Sequence, residues 1–509
     1  MKKLIAIVLC ILTAVSCTAF SFAAEEECTC THTPVVTVRG FGSLMEVENG
    51  SGEYTGMFSY DKDEALAFAK EEVKKLVDIA LKKDTGTFVS EFYNTLDFFL
   101  GALRCDLNGN SVKTVRALGC DELKKDKHKG DDLPSVSRGI EGDDYVFEYD
   151  FRLDPLENAD LLYEFIEGVK ALTRHGKVTV VAHSEGTCVT GAYLVKYGTK
   201  SVNKVIFVGA AVNGISLIGN AFTKNISLDG RADALEQFAA TALGFDGVNE
   251  FINLLISALN KAHILGVVTD ALDILLDSTI DGLYRDYLVD MFATMPGLWS
   301  FVPDEYYENA KAVMFGTDEK YDALCEKLDN YHYTVQNKIN SVFEKAKEDG
   351  TAVAFCGGYG ISSIPVAGEA PVNSDFLIDT KYTSFGATTA LFGEKLENTG
   401  GEYASPDGII DASTCLFPEY TWFAKYQSHN NFCEPFRQFI KWLIDFDGQP
   451  TVNSDAAYPQ FLTCDGHKKL VAVNADDDIL NQGSFAERFV RAVMKLVEFA
   501  ISKIMTLFA

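Results

Sequence analysis

Five short apolar runs recur along the chain, at residues 35–39, 145–149, 178–182, 204–208 and 352–356. Each is rich in Val, Ile or Phe, and most end in Gly or a polar turn, the pattern of buried strands. Between them the period changes. "DLLYEFIEGVKAL", residues 160–172, has apolar positions at helical spacing before Gly176, and residues 188–197 repeat the pattern. Strands alternating with helices predict an α/β fold, a mostly parallel sheet covered by helices on both faces. Two regions break the alternation. Residues 43–143 hold helical runs at 63–82 and 88–103 and then a polar stretch, and residues 217–345 are almost wholly helical in pattern, as in "FINLLISALNKAHILGVVTDALDILL". A helical block of that size between two strands of one sheet predicts an inserted lid or cap. No internal repeat is evident. The expected organisation is a leader at 1–23, a core from 31–216 and 346–445, the lid at 217–345, and an extension at 446–509.

Composition narrows the function. With 47% hydrophobic residues in 509, a full core can form, and a net charge of −28 disfavours nucleic acid and strongly anionic membranes as partners. Lys2 and Lys3 precede an apolar run at 4–15, and Ser21-Phe22-Ala23 has small residues at signal-peptidase spacing. The expectation is a secreted protein cleaved after Ala23, with a lipoprotein anchored at Cys17 as the alternative. No later segment is apolar for long enough to span a bilayer. Of the twelve cysteines, Cys10 and Cys17 lie in the leader, and export permits disulfides among the ten that remain. Cys105 with Cys120 and Cys415 with Cys433 are candidate pairs, and Cys356 and Cys464 are equally available. Cys188 is expected to be a buried free thiol, and Cys28-x-Cys30 lacks the second pair that a zinc site needs.

The candidate chemistry lies in "VVAHSEGTCVTGAYL". A strand runs into His183-Ser184-Glu185-Gly186 and then into a helix, the order of a nucleophile elbow. The tight turn needs small residues two before and two after the serine, and Ala182 and Gly186 supply them. Ser184 is the candidate nucleophile, and the N–H of Glu185, at the helix start, is one candidate oxyanion donor. The second is the N–H of Phe41, in the glycine-rich "VRGFGS" that follows the first strand. Of eight histidines, His32 and His128 lie early, His175 and His183 flank the third strand, and His263 and His332 fall in the lid block. His429, in the polar loop "YQSHNNF", is the candidate base, and His467 is less suited because it lies beyond the helix after that loop. Upstream, Asp407, at the apex of an Asp-Gly turn, is the preferred acid, with Asp411 as the alternative.

At these residues the chain resembles the α/β-hydrolase superfamily, and within it the lecithin:cholesterol acyltransferase and lysosomal phospholipase group, with bacterial lipases nearby. "VVTVRGFGS" resembles the oxyanion strand and loop, "YDFRLDPLENADLLYEFIEGVK" a Tyr-Asp-Trp-Arg segment with its helix, "MPGLWSFVP" a piece of the lid, and "PDGIIDASTC" the acid-bearing turn. The resemblance implies an α/β-hydrolase core, a Ser184–His429–Asp407 triad and an acyl-enzyme, with no metal or organic cofactor. Arg39, Glu185 and Ile409-Ile410 depart from the group's pattern.

The sequence therefore predicts an exported serine hydrolase of lipid-like esters, a lipase, esterase, phospholipase or O-acyltransferase. Two alternatives stay open, a non-catalytic binding or cell-surface protein that Arg39 and Glu185 motivate, and a peptidase on the same core. Ser484-x-x-Glu487 is a capping box that predicts a helix over 485–508. Its broad apolar side either packs on the core or lies at a transient lipid interface.

Overall fold

The structure, a computed structural model, describes residues 33–41, 45–48, 51–56, 101–117, 145–227, 284–364, 372–397, 401–465 and 469–475, with a few single positions between 75 and 97. The leader, Cys17, Cys28, Cys30, His32, Gly42, most of the helical runs at 63–82 and 88–103, Cys120, His128, residues 228–283 of the expected lid, His467 and the helix expected at 485–508 lie outside these residues.

Eight strands form one sheet. They are β1 (Val35–Val38), β2 (Tyr145–Phe147), β3 (Val178–His183), β4 (Val202–Val208), β5 (Ala352–Tyr359), β6 (Thr421–Lys425), β7 (Phe461–Cys464) and β8 (Leu470–Ala472). Their order across the sheet is β8-β7-β6-β5-β4-β3-β1-β2. Every pairing is parallel except β7 with β8. The five strands read from sequence are all in this sheet. The last three were not foreseen, and they add one continuous flank to it.

The longer α-helices among the described residues are α1 (Pro155–Thr173), α2 (Gly186–Tyr197), α3 (Ser216–Phe222), α4 (Asp304–Met314), α5 (Asp322–Thr334), α6 (Ile339–Glu348) and α7 (Glu434–Asp445). Helix α1 starts five residues before the periodic run because Asp154 caps it, accepting the Leu156 N–H at 2.9 Å, and Pro155 fits the first turn. It ends where Arg174 turns left-handed at φ 59°.

Because strand side chains alternate, the sheet has two buried faces. Val36, Val180, Ala182, Val205, Phe207 and Phe355 enter one core, with residues of α1, α2 and α6. Val35, Val181, Ile206, Ala354 and Trp422 enter the other, against Phe436, Phe439, Ile440 and Leu443 of α7. Phe343 of α6 packs edge-on to Phe207 and Phe355, with ring centroids 5.1 and 4.9 Å away. Truncating such a ring to alanine costs about 3–5 kcal/mol. The C-terminal end of the block expected as a lid thus packs on the sheet itself. Helix α4 instead belongs to a separate apolar cluster with Phe222, Trp299 and Phe315. This is an α/β architecture with a mostly parallel sheet and helices on both faces.

Candidate active site

Ser184 follows the last residue of β3 directly and adopts φ 55°, a left-handed conformation that a non-glycine residue holds only when its surroundings enforce it. Its N–H donates to the Val208 carbonyl of β4 at 3.2 Å. The residue is 5% exposed. Two glycines make room for this turn. A Cβ on Gly186 would lie 2.3 Å from the Val38 carbonyl oxygen, and one on Gly40 would lie 2.5 Å from Ser184 Cβ and 3.1 Å from its Oγ. The loop after β1 therefore passes against the serine with bare backbone, and Phe41 comes next. Phe41 is 48% exposed and leans on Phe151, with ring centroids 4.2 Å apart.

Glu185, at the cap position of α2, is wholly buried, and neither carboxyl oxygen has a hydrogen-bond partner. Burial, and after it the charge of Asp150, raises its pKa well above the usual carboxylate range. Burial thus favours its protonated form. Arg39 is also compensated, because its Nε lies 3.0 Å from Glu148 Oε1 across the β1–β2 pair. Neither departure from the usual pattern leaves a bare charge beside the serine.

His429 lies on the loop between β6 and α7, 2% exposed. Its Nδ1 is 2.7 Å from Oδ2 of Asp375, and its backbone N–H donates to the Asp375 carbonyl at 2.8 Å. Asp375 Oδ1 accepts the N–H groups of Leu377 at 3.1 Å and Ile378 at 2.8 Å. An Nδ1–H that donates to a carboxylate leaves Nε2 as the lone-pair nitrogen, and that atom is buried without a hydrogen-bond partner. Gly209, directly after β4, brings this pair to the serine's side of the sheet. A Cβ there would lie 3.1 Å from His429 Nδ1 and 3.3 Å from Asp375 Oδ2.

The structure places Asp407, expected as the acid, away from His429. Its carboxylate accepts from Ser405 Oγ at 2.6 Å and Tyr359 OH at 3.1 Å, and pairs with Lys425 Nζ at 3.0 Å, so it is fully engaged away from His429. The alternative, Asp411, caps a short turn by accepting from the Ser413 N–H and hydroxyl. Sequence reasoning did not single out Asp375, because the contacts that set it apart, to the N–H groups of Leu377 and Ile378 and to His429, exist only in the fold. The expected Cys415–Cys433 pairing is also not the one the fold favours. Both are free thiols, with Cys433 hydrogen-bonded to Cys464 and Cys415 to Ser384.

The "YDFR" segment organises the approach to the site. The Arg152 guanidinium is fully buried, bonded twice to Asp150 and also to Ser111 and the carbonyls of Ala102 and Leu103. Its own carbonyl accepts the Gly297 N–H at 2.9 Å, fixing the Pro296 turn beside Glu185. A cleft of about 540 Å³, lined by Glu305, Gln336, Lys381 and Tyr382, contains neither Ser184 nor His429. Among the described residues no group of three or more His, Cys, Asp or Glu is placed to hold a metal, and no helix is long and apolar enough to cross a membrane.

No family model matches the chain, and no curated protein matches it. Among solved structures, a chain of "The crystal structure of Tle4-Tli4 complex" is similar at 9% identity, covering 93% of this chain and 98% of that one, with a TM-score of 0.27. A likeness that low carries no functional argument.

Proposed function

We propose that the protein is a serine hydrolase of carboxylic esters, with Ser184 as nucleophile, His429 as base and Asp375 as the acid that orients it. One observation carries the reading. The buried His429 pairs through Nδ1 with Asp375 and keeps Nε2 unpartnered, and its ring lies 4.7 Å from that of His183, the residue directly before the strained Ser184. In the reaction Ser184 Oγ attacks the ester carbonyl as His429 Nε2 takes its proton. The tetrahedral oxyanion is held by the N–H groups of Phe41 and Glu185. Its collapse expels the alcohol, which receives the proton from His429, and the acyl-enzyme is released to water or to an acceptor alcohol. Neutral Glu185 and the Arg39–Glu148 pair suit this role, since an ionised carboxylate one residue from the serine would oppose the oxyanion.

The substrate class is read from sequence. The apolar helical patterns of residues 217–345 favour a lipid-like acyl chain, and the basic start and apolar run at the N-terminus favour export. The test is labelling with a fluorophosphonate probe together with p-nitrophenyl ester turnover. The wild-type protein should be labelled at Ser184, and Ser184→Ala should lose both labelling and turnover while keeping its melting temperature. An alanine variant that turns over at the wild-type rate removes the assignment.

A further inference from the structure

The residue just before the nucleophile makes a contact that the triad alone does not require. His183 ends β3, and its Nε2 lies 3.0 Å from the backbone oxygen of His429. Its ring sits 4.7 Å from the His429 ring and 5.3 Å, nearly edge-on, from Phe432. We propose that His183 is a positioning residue, whose Nε2–H donates to the His429 carbonyl and thereby fixes the base against the nucleophile. This rests on the serine-hydrolase reading.

The chemistry of the contact is one-sided. A carbonyl oxygen only accepts, so the proton of the imidazole must be on Nε2. Burial, and after it the neighbouring His429, pushes the His183 pKa down to about 3, so the ring stays neutral with a single N–H and that N–H is committed. The geometry gives the bond its purpose. The other anchors of His429, its N–H and its Nδ1, both run to Asp375, so they fix the base against the acid. The His183 bond runs to the strand that carries the serine. His183 and Ser184 are consecutive, and β3 is paired on both sides, with β1 up to Val38↔Ala182 and with β4 up to His183↔Val208, so this anchor sits on a central strand of the sheet. The loop also needs one. It leaves β6 through Tyr426 at φ 61°, and Gln427 spans it by donating to the Ser428 and Asn431 carbonyls. Without the His183 bond, the Asp375–His429 pair would stay intact but stand at a different distance from Ser184 Oγ.

Two substitutions separate donor from ring. His183→Gln keeps an N–H donor at the same reach, and His183→Phe keeps a ring against His429 and Phe432 without the donor. On p-nitrophenyl butyrate, His183→Phe should lower kcat by up to about 100-fold, the effect of a displacement near 1 Å, with KM little changed. His183→Gln should recover most of the loss. A His183→Phe enzyme with wild-type kcat overturns the proposal, and so does a folded His183→Gln enzyme no better than His183→Phe. Nitrogen-15 NMR of histidine-labelled protein gives a readout that does not depend on activity. The signal lost in His183→Gln should be that of an Nε2–H tautomer, and an Nδ1–H tautomer overturns the proposal whatever the activity. If the wild-type protein neither turns over ester nor takes the fluorophosphonate label, the serine-hydrolase reading fails instead, and the tautomer still decides the bond.

Discussion

Lys425 Nζ and Asp407 Oδ2 form an ion pair 3.0 Å apart, with both side chains under 5% exposed. A pair so buried is committed, because removing either partner strands a charge in a medium that cannot solvate it. Asp407 therefore serves the packing between β5, β6 and its own turn, and His429 is left to Asp375.

This division predicts opposite phenotypes for two similar substitutions. Asp375→Asn should lower kcat on a short ester by on the order of 10⁴-fold, because an amide cannot hold the imidazole in the tautomer that leaves Nε2 basic. Its fold should survive. Asp407→Asn should lower stability by about 3–5 kcal/mol, because Lys425 loses its counter-charge, with kcat retained in the molecules that remain folded. Urea titrations and ester kinetics on both variants check this, and the assignment falls if the two effects are exchanged.

The turn at Ser184 was legible because its requirements are local. A strand, two small residues and a helix start all lie within a few positions, and the constraint on Gly186 comes from the neighbouring strand that any parallel sheet would supply. His429 could be reached by elimination, since a base on a polar loop before the last core helix left few alternatives. Asp375 could not be chosen on sequence alone. It meets His429 across 54 residues, and the stronger local signature, the Asp-Gly turn at 407, belongs to a carboxylate that Lys425 and Tyr359 occupy. The strands at β6, β7 and β8 were missed for a related reason. "TWFAK" carries polar ends and two aromatics, and the two after it are three or four residues long and near the sheet edge, so pairing with the neighbouring strand decides the state of each rather than its own pattern.

The thiols predict a specific cross-link. Cys433 caps α7 four residues after His429, and its thiol is hydrogen-bonded to that of Cys464 at the end of β7. Treatment with excess glutathione disulfide should join Cys433 to Cys464, the two thiols giving up two protons and two electrons as the oxidant is reduced to two glutathione thiols. Cys415, 7% exposed and hydrogen-bonded to Ser384, should remain free. Peptide mapping under non-reducing conditions checks it, and a Cys415–Cys433 peptide would contradict the placement.

Glu185 should make stability depend on pH. Its carboxyl is surrounded from several sides by groups that do not welcome a second negative charge. Asp150 precedes the α1 segment, Tyr149 lies on the same stretch, Cys188 is on α2, and Tyr331 is on α5. With no hydrogen-bond partner and no exposure, the acid is favoured only while protonated. Its folded pKa is raised above the ordinary value of 4.5, so the folded state binds a proton that the unfolded chain releases. The contribution of Glu185 to stability is thus complete below about pH 4.5 and is lost as pH rises through the raised folded value. Glu185→Gln keeps the shape and removes the titration. The variant and the wild-type protein should be close in stability near pH 4.5, and the variant should gain on the wild type as pH is raised from there towards the raised folded value. Other titrating groups affect both proteins alike, so the difference between their urea midpoints isolates this one. A difference that stays flat across that range would mean Glu185 titrates at its ordinary pKa. A wild-type advantage that grows with pH would mean its charge is stabilised by a partner, and either result refutes the neutral acid beside Ser184.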